Sequence, residues 1–237
     1  MTFRACTLWL FGLTSSLALG AGCGDGGGND ARIAVNWDVA YVGGQAAGCD
    51  RAGTPWVRLE ARSAGSQHLY SFDFDCAPLN GLTDYLPPGS YDITLSLLDA
   101  KKRPVASTSG NFAIRRRGVN ELDPVQFQVQ ALQVSWLMVL QEMGGAMKTP
   151  SCEALGVSKI EFSAQLSGDE VGETFQFACI LNPGQGLTTA VRTGNYAYQF
   201  QLLDAADKPI TQSDIKSVVV GPGPQLTAVP PERFAFQ

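Results

Sequence analysis

The chain has 237 residues, 45% apolar and 16% charged, with 26 Gly and 13 Pro. The apolar share excludes wholesale disorder, and the Gly and Pro content suits a many-stranded, turn-rich protein. A formal charge of -5 excludes a nucleic-acid binder held by broad positive potential, and a single His removes most hydrolase and metal-site designs.

Met1 to Arg4 is a short positive start, and Ala5 to Gly20 is an apolar run broken by Thr14, Ser15 and Ser16. A membrane span needs about 20 apolar residues, so this stretch reads as a secretory signal instead. Leu19-Gly20-Ala21-Gly22-Cys23 then resembles the lipobox of bacterial lipoproteins. The resemblance implies that residues 1–22 are removed and that Cys23 carries the acyl chains, palmitate among them. Gly20 stands where an aliphatic residue is usual, which leaves ordinary signal-peptidase cleavage near Ala21 as the alternative. Residues 23–30, with Gly24 and Gly26 to Gly28, have no side chains for a core and form a Gly-rich tether. Without residues 1–22 the chain holds 16 basic and 22 acidic residues, so attachment to anionic lipid falls to the acyl anchor. The expected location is the bacterial cell envelope, at the outer membrane.

From residue 31 onward, period-two alternation dominates. Ile33, Val35, Trp37, Val39 and Tyr41 mark the first strand, and Val57, Leu59 and Ala61 the next. Trp56, following Pro55, is the aromatic best placed to be exposed and is a candidate sugar platform. His68 has no nucleophile motif near it and is not assigned a catalytic role. Tyr70, Phe72, Phe74 and Cys76 alternate with Ser71, Asp73 and Asp75, which form a solvated strand face. Leu86-Pro87-Pro88-Gly89-Ser90-Tyr91 introduces the next strand. There the Tyr91 ring can enter the core while its hydroxyl bonds the preceding turn. Ile93, Leu95 and Leu97 continue that strand into a hairpin turn at Asp99 to Arg103. Phe112/Ile114 and Val125/Phe127/Val129 supply further strands. Between them Arg115-Arg116-Arg117 is the sharpest local charge, a candidate contact for polyanions or else a solvated turn.

The second half repeats the first. Leu97-Leu98-Asp99-Ala100 matches Leu202-Leu203-Asp204-Ala205, and Gly89-Ser90-Tyr91 matches Gly194-Asn195-Tyr196, both at an offset of 105. Trp37 matches Trp136 at 99, and Phe127 matches Phe234 at 107. Leu137 to Met147 is the best helical stretch, yet it reads as a strand end plus loop. Cys49 and Cys76 are 27 apart, as are Cys152 and Cys179, and the pairs are offset by 103. Of three possible connectivities only Cys49–Cys76 with Cys152–Cys179 respects the repeat. A four-Cys zinc site lacks any close Cys-x-x-Cys pair. Burial switches from odd to even positions between Val129 and Leu132, which predicts a stiff join.

The expected fold is all-β: two tandem antiparallel seven-stranded β-sandwiches, at 31–129 and 130–237, each with one disulfide. Leu-Pro-Pro-Gly-Ser-Tyr and its echo Arg192-Thr193-Gly194-Asn195-Tyr196 resemble the corner of prealbumin-like sandwich modules. Carboxypeptidase regulatory-like and Cna-B-type domains are examples, and Ig-like fibronectin type III domains share a similar corner. The resemblance implies adhesion, stalk or carbohydrate-contact roles. The sequence predicts no catalytic residue, metal site or cofactor. It points to a non-enzymatic envelope lipoprotein with a protein partner, or alternatively a polysaccharide partner engaging Trp56 and Arg115 to Arg117.

Overall fold

The computed structural model describes residues 31–115 and 118–237; the signal, Cys23, the tether, Arg116 and Arg117 lie outside the described residues. The first repeat holds β1 (Ala31–Tyr41), β2 (Trp56–Ser63), β3 (Leu69–Asp75), β4 (Asn80–Leu82), β5 (Gly89–Leu98), β6 (Pro104–Ile114), β7 (Gly118–Glu121) and β8 (Val125–Val129). One helical turn, α1 (Gly48–Ala52), follows β1. The second repeat holds β9 (Leu132–Gln141), β10 (Met147–Lys148), β11 (Lys159–Leu166), β12 (Glu173–Ala178), β13 (Gly184–Leu187) and β14 (Gly194–Leu203). It is completed by β15 (Pro209–Gln212), β16 (Lys216–Val220), β17 (Thr227–Ala228) and β18 (Glu232–Phe236), with a 3-10 turn at Glu153–Leu155.

Each repeat builds two sheets. In the first, β1 lies between β4 and the β7–β8 strand, and the facing sheet runs β3-β2-β5-β6. In the second, β9 pairs with β10, β13, β17 and β18, and the facing sheet is β12-β11-β14 with β15 and β16 both on β14. The sequence-derived picture of seven antiparallel strands per repeat needs correction. Among the described residues the repeats hold eight and ten strands, and β1–β8 and β9–β18 pair in parallel. Alternation reports which face is buried and says nothing of a partner's direction. Strands of two to four residues, such as β4, β10 and β17, are also too short to alternate visibly. The segment Leu137 to Met147 is the end of β9, a turn and β10, as the sequence predicts.

The alternating side chains meet between the sheets in two core clusters. One is formed by Ile33, Trp37, Val57, Leu59, Ile93 and Leu95 with their neighbours, the other by Val134, Trp136, Ile160, Phe162, Tyr198 and Phe200 with theirs. Fully burying one such aromatic or aliphatic side chain stabilises by about 1.5–3 kcal/mol. The two cores share detailed geometry. Trp37 meets Phe74, and Trp136 meets Phe177, each with ring centroids 6.0 Å apart and planes at 31°. The paired glycines pass close to those rings: a Cβ on Gly81 would lie 2.7 Å from the Phe74 ring, and one on Gly186 2.5 Å from Phe177.

Disulfides join Cys49 to Cys76 and Cys152 to Cys179, each with Cα atoms 5.8 Å apart. Cys49–Cys76 ties the loop after β1 to the end of β3, and Cys152–Cys179 ties the loop after β10 to the end of β12. Tyr91 donates its hydroxyl proton to the Pro87 carbonyl at 2.7 Å, and Tyr196 donates to Arg192 at 2.9 Å. In both hairpins an Asp carboxylate closes the turn. Asp99 Oδ1 accepts from the Lys101 and Arg103 amides, and Asp204 Oδ1 from those of Ala206 and Lys208, all at 2.8–2.9 Å.

Candidate functional site

A cleft lined by charged side chains of both repeats lies where the repeats meet. Val129, Gln130, Ala131 and Leu132 are all buried, so the chain passes between cores without a solvated linker. The segment between β13 and β14 folds back against the first repeat. The Ala190 amide donates to the Ala52 carbonyl at 2.8 Å, and the Val191 amide to Gln130 at 2.8 Å. Tyr41 donates its hydroxyl proton to the Arg51 carbonyl at 3.0 Å, and Thr188 Oγ1 accepts from the Leu132 amide at 2.9 Å. Ala190 itself is buried in the first core.

Beside these contacts stands a cluster of five charges. Arg103, at the end of the β5–β6 hairpin, donates to Asp99 at 2.7 Å, to Asp169 at 2.7 Å and to Glu173 at 2.5 Å. Asp169 also accepts from Arg192. Burial works against the Arg103 charge, yet its hydrogen bonds to Asp99 and Glu173 raise its pKa above the usual arginine value. A cleft of about 410 Å³ opens here, lined by Gly53, Lys101, Arg103, Glu173, Phe175 and Thr189 among others. Arg103 is committed to three carboxylates from both repeats. The arrangement fixes the join and leaves that guanidinium with no spare carboxylate-free edge for a ligand. Sequence reasoning missed this cluster. Asp169 and Glu173 look like ordinary loop acids, and nothing local names a partner 66 or 70 residues away.

The residues singled out from sequence are placed apart from one another. Trp56 is half-buried, and Lys102 Nζ sits 5.0 Å from its ring centroid, covering one face. Asp73 next to it accepts from Arg58 at 2.7 Å and from Lys102 at 2.8 Å. These hydrogen bonds, that of Arg58 first, hold its carboxyl down at about 2. His68 is exposed, and its ring meets the Tyr70 ring edge-on, with centroids 4.5 Å apart. Arg115 is exposed at the pole where β1 begins, since Ala31 pairs with Gly118, and its amide donates to Asn120 Oδ1 at 2.9 Å. Trp37 and Trp136 are core residues, 4% and 3% exposed. Among the described residues no group of three or more His, Cys, Asp or Glu side chains gathers into a metal-binding set.

No family model matches this sequence, and no curated protein matches it. Solved structures give distant likenesses. A DUF3823 family protein from Bacteroides uniformis is 14% identical over 80% of this chain and 99% of its own, with a TM-score of 0.27. An adhesin-like protein from Bacteroides ovatus is 9% identical over 86% of this chain and 92% of its own, at 0.31. The Bacillus anthracis TIE protein is 9% identical over 88% of this chain, at 0.35. This chain spans 34% of that protein, and 27% of a leucine-rich repeat protein from Bacteroides thetaiotaomicron that it also matches. At these TM-scores the likeness is one of β-rich construction, and no function is carried over from it.

Proposed function

We propose that this chain is a non-enzymatic binding module of the bacterial envelope, built as two tandem sandwich domains at 31–129 and 130–237. Cys23 carries the lipid anchor at the outer membrane, and the partner is an envelope protein. The observation that carries the reading is the join. Five charges, a backbone hydrogen bond from Ala190 to Ala52 and the burial of Ala190 in the first core bind the second repeat to the first, a costly investment for a chain that needs only independent beads. β1 runs from Ala31 to the join beside Val129, and β9 leaves the join at Leu132 and ends at Gln141. A tether at Ala31 therefore projects the second repeat outward from the surface it is fixed to. A glycan stacked on Trp56 would first have to displace Lys102, which favours a protein partner over a polysaccharide.

The test is crosslinking in intact envelopes followed by capture of the tagged chain, with palmitate labelling of wild type and Cys23→Ala. The expected result is labelling that depends on Cys23 and one stoichiometric protein partner. Glycan recovered without protein, or labelling unchanged by Cys23→Ala, overturns the corresponding part of the reading.

A further inference from the structure

The internal repeat allows one half of the molecule to be read against the other, and they differ at one seam between the sheets. In the first repeat Gly110 on β6 is the register partner of Ile93, and Val125 on β8 is the partner of Trp37. The corresponding residues in the second repeat are Lys216, partner of Tyr198, and Glu232, partner of Trp136. Lys216 Nζ donates to Glu232 Oε2 at 2.7 Å, and this ion pair closes the seam over the larger Tyr198 and Phe200. Among the described residues the first repeat has no such closure. Its Gly110 faces open space, with nothing within 4 Å of a Cβ built there. Thr108, the register partner of Leu95, is exposed although it lies on the core-facing row of β6.

The result is a groove of about 360 Å³ with Ile93, Leu95, Leu122 and Val125 on its floor and Glu121 and Asp123 at its rim. Strand β6 borders it. Among the described residues β6 pairs only with β5, so its outer edge presents free backbone donors and acceptors. It is eleven residues long and contains no charged residue to discourage pairing. Its counterpart in the second repeat is interrupted between β15 and β16 at Ser213 to Ile215, where the Ser213 hydroxyl accepts from the Phe200 amide at 3.0 Å. That break blunts the equivalent edge.

We propose that the open seam of the first repeat is a strand-addition site for an extended segment of another protein. The segment pairs its backbone with β6 and sets apolar side chains, at every second position, into the groove. Its flank is basic, because Glu121 and Asp123 stand at the rim and no described cation pairs with either. A second copy of this chain is a poor occupant through the same strand. Its β6 offers Thr108 and Gly110 on that row, which bring nothing to fill an apolar floor. The proposal rests on the reading of the chain as a protein-binding module and names where and how that partner is held.

The test uses the full-length chain in detergent and a fluorescently labelled peptide, Lys-Lys-Val-Thr-Val-Thr-Val-Thr, followed by anisotropy. Two comparison peptides share the design: one shuffled so that the valines are adjacent, one with both lysines replaced by glutamate. The blocking variant is Gly110→Lys with Val125→Glu, which transplants the closed seam of the second repeat. Saturable binding of the alternating basic peptide is expected, at least tenfold weaker for both comparison peptides and for the double variant. A thermal melt of the variant verifies its fold. Should it fail to fold, the two comparison peptides decide the matter on wild-type protein. Absence of binding to wild type, equal binding of the shuffled peptide, or undiminished binding to a folded double variant overturns the proposal. So does concentration-dependent dimerisation that the double variant abolishes. Each of these outcomes bears on the seam alone, since partner capture from envelopes reads out the broader function separately.

Discussion

Arg103 and Asp169 belong to different repeats, 66 positions apart in sequence, and their side chains meet at 2.7 Å. Because Arg103 also reaches Asp99 and Glu173, one guanidinium holds three carboxylates at the join. Arg103→Met removes every one of those contacts and leaves like charges facing one another. A loss of about 2 kcal/mol is expected in denaturant unfolding, the scale of hydrogen bonds to charged groups. Arg103→Lys should recover only part of it, since an ammonium cannot fork between carboxylates. Small-angle scattering should show a broader distribution of shapes for Arg103→Met than for wild type. An unchanged distribution would place the stiffness of the join in its backbone contacts alone.

The outer face of the first repeat carries a titration of defined sign. The Asp73 carboxyl is held at about 2 by hydrogen bonds from Arg58 and Lys102, against about 3.9 in an unfolded chain. The folded protein thus binds this proton more weakly than the unfolded one. The stabilisation is complete above about pH 5 and is lost as pH falls through 4 towards 2. Asp73 is 28% exposed, so screening limits its worth to about 1 kcal/mol. Asp73→Asn should lower Tm at pH 7 by about 2–4 °C, and the gap to wild type should close by about pH 2. A gap constant across that range would contradict the assignment.

The two corner tyrosines give a spectroscopic test. Burial, with Glu173 nearby, pushes the Tyr196 phenol up to about 12. Tyr91 is also raised, by burial and then by Tyr70. In an absorbance titration, Tyr196→Phe should remove the latest-ionising tyrosine. The neutral phenol is the form the fold prefers. Its stabilisation is therefore present below pH 10 and is lost as pH rises towards 12. Each Tyr→Phe change should also cost about 1 kcal/mol by deleting the bond to Pro87 or Arg192.

Gly81 and Gly186 should tolerate no side chain. A methyl group on either presses into the ring of Phe74 or Phe177, and overpacking of this kind costs about 1–3 kcal/mol. Gly81→Ala should destabilise the chain in thermal melts, whereas Gly65→Ala, where nothing lies within 4 Å, should not. Equal melting temperatures for the two variants would show that the ring can move aside.

Features that recur in both halves were the ones legible in the sequence. The 105-residue offset paired Tyr91 with Tyr196 and Asp99 with Asp204, and the 27-residue spacing paired the cysteines. Tyr91, Tyr196 and the two disulfides take up the geometry that their local phrases imply. The parallel pairing of β1 with β8 was not legible, because alternation in each strand is the same whichever way its neighbour runs. The Arg103 cluster was hidden because its partners come together only once both repeats are folded. The seam left a trace that could have been read: a charge-free stretch from Pro104 to Ile114, with Gly110 where the other repeat has Lys216. Trp56 looked exposed by its position after Pro55, and no local pattern announces that Lys102 covers its ring.

The parallel pairing of first and last strands has a mechanical consequence. A pull between Ala31 and Phe236 drags β1 lengthwise against β8, and β9 lengthwise against β18. The ladder bonds in each pair are then strained together, in shear, whereas an antiparallel hairpin pulled from its open ends would unzip one bond at a time. A chain tethered at one end and gripped at the other would resist tension with whole strands.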